Sequence, residues 1–65
     1  MDTVTRNTVY DIKAALQIGK RTLKSIAAEC AVYEVQSNTD EAKAVFARLA
    51  DCKTRKDFNM VINSL

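Results

Sequence analysis

Six of the ten basic residues of this chain fall in two short groups: Lys20, Arg21 and Lys24, then Lys53, Arg55 and Lys56. A lysine ammonium is a point charge for a phosphate oxygen. An arginine guanidinium is a planar fork that grips phosphate or pairs with O6 and N7 of guanine. Ser25, four residues after Arg21, adds a hydroxyl for a base edge, and Tyr10 adds a phenol. The expected site on double-stranded DNA therefore has Lys20, Arg21, Lys24 and Ser25 at base edges. Lys53, Arg55 and Lys56 touch phosphates, and Tyr10 is either a further phosphate contact or an amphipathic rim residue.

Other chemistry is poorly provided for. The chain has no His, hence no imidazole base, and its single Gly rules out a glycine-rich phosphate cradle. Cys30 and Cys52 lack metal-ligand spacing, so a zinc site is not expected. Reduced, they read as small core residues. The carboxylates are scattered over helix starts and surface faces, and no Ser or Cys has an evident base beside it. Neither an enzymatic activity nor a cofactor is expected.

The elements that must position these groups are helices. With one Gly and no Pro in 65 residues, tight hairpins and irregular loops are disfavoured. Residues 1–6 have no apolar period and are expected to fray. Asn7 or Thr8 can cap a first helix whose inner stripe is Val9, Ile12 and Leu16, with Asp11 in its first turn. Gln17-Ile18-Gly19 follows, and two arrangements are open. In a helix-turn-helix, Ile18 is the apolar plug that closes the turn. In an ordinary hairpin the helix runs through Ile18 and Gly19 is its left-handed cap. Thr22 or a residue just before it starts the second helix, where Leu23, Ile26, Ala27, Cys30 and Tyr33 recur at helical spacing. Ala28, Val32 and Val35 make a second stripe, the pattern of a central helix touched from both sides. Ending near Ala31, with Val32–Val35 as a buried loop, is the alternative.

After the polar break at residues 36–39, Asn38 and Glu41 resemble a capping box. Ala42, Val45, Phe46 and Leu49 then predict a third helix from about Thr39 to Asp51. Thr54 and Asp57 form a second capping box. Phe58, Val61, Ile62 and Leu65 predict a last helix from about Arg55 to Asn63. The fold class is all-α: one domain, a small compact bundle of four short helices, with Ile12, Leu16, Leu23, Ile26, Phe46, Leu49 and Phe58 in the core. Short connections force neighbouring helices antiparallel. Both basic groups, each on a connection, then meet at one end, with Glu34, Asp40 and Glu41 at the other.

The runs T-x-Y-D-I, with Thr8, Tyr10, Asp11 and Ile12, and L-Q-I-G-K-R-T-L, Leu16 to Leu23, resemble a bacterial repressor helix-turn-helix. They are most similar to the headpiece of lactose-repressor-type proteins, over about a third of the chain. Lys13 and Gln17 stand where that motif carries a small residue and a glycine. The resemblance implies a small sequence-specific DNA-binding transcription regulator, with Lys20, Arg21 and Ser25 at base-reading positions. It also implies a dimer on a two-fold site.

Composition sets the remaining bounds. A chain of 65 residues buries only about 60% of its unfolded surface and is marginally stable. The last helix can cap the core or supply a homodimer interface through Phe58, Val61, Ile62 and Leu65; the dimer is the expected use. A net charge of +2 does not by itself imply nucleic acid. With no apolar leader and no run near the ~20 residues of a membrane span, a cytoplasmic protein without membrane contact is expected. The alternative function is a small helical interaction module without DNA binding. Such a module would be an inhibitor or anti-activator of the size phages encode, docking an acidic protein on the basic end or a partner on exposed apolar stripes.

Overall fold

Asp2 is the first residue with a structural task. Its carboxylate accepts the backbone N–H of Thr5 at 2.8 Å and starts α1, Thr3–Ile18. The computed structural model describes residues 1–65 and contains four helices and no strand. The helix thus begins well before Asn7 or Thr8, and residues 3–6 are helical rather than frayed. Thr5 explains why: it turns inward and is buried, in register with Val9, Ile12 and Leu16. Its polar type hid the first turn of the apolar stripe. Thr8 does not cap; its hydroxyl donates to the carbonyl of Val4 one turn back, at 2.9 Å.

Gly19 ends α1 in the left-handed region, φ 74°, and its N–H donates to Ala15 O at 3.0 Å. It is the only residue with positive φ, so Gln17 is an unstrained helical residue. Ile18 is not a plug; it is 66% exposed. Two residues beyond Leu16 it points roughly 200° away from the inner stripe, onto the solvent side.

Thr22 caps α2, Leu23–Gln36, accepting Ser25 N–H at 3.1 Å. Ile26 and Cys30 are fully buried, with Leu23, Ala27 and Tyr33 half-buried against the core. Leu23 is therefore a core edge rather than a core centre. Val32–Val35 are helical, not a loop. At the end of the helix the Ser37 hydroxyl donates to Tyr33 O at 2.7 Å. The second apolar stripe, Ala28, Val32 and Val35, is uncovered, and Ala31 beside it also faces solvent. A helix touched from both sides needs a neighbour on each, and here the other helices leave this face open.

Thr39, one residue after the expected Asn38, caps α3, Asp40–Ala50, through Ala42 N–H at 3.1 Å. Glu41 instead meets the Met1 ammonium at 3.0 Å. Ala42, Val45, Phe46 and Leu49 are buried as their spacing predicts. α2 and α3 are the most closely packed pair, and Tyr33 tilts against Phe46 with ring centroids 5.4 Å apart. The Thr54–Asp57 capping box starts α4, Arg55–Asn63. α4 packs on α1 and α3, with Phe58 fully buried and Val61 and Ile62 half-buried against the same core. Its apolar face closes the monomer, so Phe58 is unavailable to a second copy.

The ends follow from two contacts. The Met1–Glu41 pair puts the starts of α1 and α3 together. The Arg55 guanidinium donates to Leu16 O, joining the end of α1 to the start of α4. Cys30 and Cys52 are free, buried thiols, and burial pushes Cys30 up to about 11.

Candidate nucleic-acid interface

Leu16 O is among the last four carbonyls of α1, which lack intrahelical partners. Arg55 satisfies it with a charge-assisted bond at the negative end of that helix. The contact brings the connection 51–54 beside the connection 19–22, so Lys20, Lys53 and Lys56 sit at one end of the molecule, with Lys24 in the adjoining first turn of α2. All four are exposed and none forms an ion pair. Two helix starts and two helix ends lie here, so their roughly half-unit dipole charges nearly cancel and the lysines set the field. Asp51 is an exposed carboxylate at this end. Asp57 is occupied: it accepts Lys53 N–H at 3.2 Å and Thr54 N–H at 3.1 Å. Those backbone donors hold its carboxyl below the usual range.

The structure treats the other site residues differently. Arg21 folds back along α2, its Nη1 2.7 Å from Glu29 Oε2. Its Nε and Nη2 donate to Ser25 Oγ and O, both at 3.3 Å. The Ser25 hydroxyl donates to Thr22 O at 3.1 Å. Glu29 also accepts the Tyr33 hydroxyl at 2.5 Å. That bond, followed by the contact with Arg21, lowers the Glu29 carboxyl below its ordinary value. Arg21 and Ser25 are thus engaged in a polar ladder on α2 with Glu29 and Tyr33. Arg55 is likewise a link between connections.

Tyr10 is exposed but not at this end. It lies eight residues, about 12 Å, before the end of α1. There it lines a groove of about 480 Å³ between α1 and the end of α4. Arg6 and Lys13 flank it in the same groove, at the i, i+4, i+7 spacing of one helix face. Arg6 joins this face only because the helix starts at Thr3, a start that no apolar period in residues 1–6 announces. No three His, Cys, Asp or Glu side chains converge to hold a metal ion, and no helix is long and apolar enough to cross a membrane. No protein-family model matches the chain, and no curated protein or solved structure matches it either.

Proposed function

We propose that this chain is a small nucleic-acid-binding regulator that holds duplex DNA at its basic end. The supporting observation is the convergence of both basic connections through the Arg55–Leu16 contact, which presents four unpaired lysines together. Lys20 and Lys24 sit where the first helix turns into the second, and Lys53 and Lys56 brace them from the other connection. Lysines engage phosphate as point charges, so the interaction is mainly with the backbone and tolerant of sequence. Arg21 and Ser25 are held along α2 by Glu29 and by each other, so Lys20 and Lys24 act at the phosphate backbone together with Lys53 and Lys56. Gel-shift titration of a random duplex at low salt is the test. Lys20→Ala and Lys56→Ala, on different connections, each weaken binding to all sequences alike, whereas Arg21→Ala leaves it largely unchanged. A wild-type protein that shifts no duplex at low salt removes the proposal.

A second function is favoured by the uncovered apolar face of α2, which is unlike the polar face of a helix that lies in a major groove. It is a helical interaction module, with a partner's apolar surface docking on the Val32 and Val35 side of α2. Absence of duplex binding by the wild type, together with binding of an amphipathic helical peptide that Val35→Glu abolishes, would select it.

A further inference from the structure

We propose that the outer face of α2 is a self-association surface, where the α2 of a second copy packs antiparallel about a two-fold axis between Ala28 and Ala31. Lys24, Ala28, Ala31 and Val35 follow one another at spacings of four, three and four, the alternation that keeps a seam on a neighbouring helix. Val35 is 79% exposed and Val32, flanking the seam, 52%. The inner face of α2 carries its own separate set, Ile26, Cys30 and Tyr33, so this seam is surplus to the monomer's core. The two alanines at its centre allow close backbone approach.

Charge and symmetry identify the occupant. The seam has Lys24 at its amino end. At its carboxyl end Glu34 flanks it, half-buried and about 100° round the helix from Val35, and the last turn has no basic residue. Antiparallel pairing sets Ala28 against Ala31 of the other copy and Lys24 against Val35, beside Glu34 and the negative end of that helix. The patch is self-complementary, as a two-fold interface requires. Parallel pairing would instead stack Lys24 on Lys24. A contact one 14-residue helix long, about 21 Å, and about 10 Å wide covers only a few hundred Å² per copy, below the ~1,200 Å² of a stable interface, so the dimer is reversible. Pairing takes Lys24 from the basic end and leaves Lys20, Lys53 and Lys56 free, so a paired chain should bind duplex with about one phosphate contact fewer.

Sedimentation from micromolar to millimolar concentration tests the inference, with thermal melts confirming that the variants fold. The wild type should shift from monomer toward dimer. Ala28→Glu should raise the apparent dissociation constant by at least about tenfold. Lys24→Glu should weaken pairing, and Lys24→Glu with Glu34→Lys should restore it. For orientation, the Lys24→Cys chain mixed with the Val35→Cys chain should cross-link under mild oxidation faster than either alone. A monomer at every concentration, a dimer indifferent to Ala28→Glu, or faster cross-linking of the Lys24→Cys chain with itself would overturn it.

Discussion

Phe58→Ala removes a ring that has no solvent exposure and sits where α4 closes the core formed by the other helices. Truncating a buried Phe to Ala costs about 3–5 kcal/mol. Native stability runs at about 0.05–0.15 kcal/mol per residue, so a chain of 65 residues has about 3–10 kcal/mol in total. The substitution should therefore consume much or all of it, leaving a broad or absent transition in urea followed by circular dichroism. Phe58→Leu keeps most of the apolar volume and should retain a cooperative transition at a lower midpoint. Because Phe58 is buried within one chain, both losses should be the same at low and high protein concentration. A wild-type midpoint for Phe58→Ala, or a loss that disappears on concentrating the protein, would refute the placement of α4 in the monomer's core.

Thr54→Ala removes the hydroxyl that accepts Asp57 N–H and should cost about 1 kcal/mol, read as a lower denaturation midpoint. Gly19→Ala places a Cβ in open space but at φ 74°, so its cost is backbone strain alone, about 1–2 kcal/mol, with Gly19→Asn milder. Asp2, Glu29 and Asp57 all have carboxyls lowered in the folded state, foremost by hydrogen bonds from Thr5, from Tyr33, and from Lys53 N–H, respectively. Their contribution is present above the ordinary carboxylate range near about 4 and is lost as pH falls through the lower folded values. Melting temperature should hold from neutral to mildly acidic pH and fall below that range, and Asp57→Asn should shallow the fall. With Cys30 pushed up to about 11 by burial, the native protein should react slowly with a thiol reagent at mildly alkaline pH, at a rate that tracks unfolding.

How much of this was legible in the sequence depended on how one-sided each helix is. α3 and α4 bury a single stripe each, and spacing plus the Thr54–Asp57 box placed them closely. Gly19 and Thr22 announced the first connection because only certain residues serve there. α2 was harder, since apolar residues surround it and composition does not say which side is covered; topology decided that Ile26 and Cys30 are inside and Val32 and Val35 outside. The first turn of α1 was missed because Thr5, a polar residue, occupies a core position. The basic end followed from alternating helix direction, but the link that assembles it, Arg55 to Leu16 O, spans 39 residues and leaves no local signal. For Arg21 the nearest charged partner is Glu29, two turns along α2, a contact that the spacing of one helical turn does not announce.

Phosphate binding at the basic end is read from the salt dependence of duplex binding, followed by fluorescence anisotropy of a labelled duplex. Four lysines contacting B-DNA give a slope of about −3 to −4 in log binding constant against log salt, at roughly −0.9 per contact. Lys20→Ala and Lys56→Ala should each bring that slope about one unit closer to zero. Absence of binding at the lowest salt, or a slope that neither substitution moves, would contradict it.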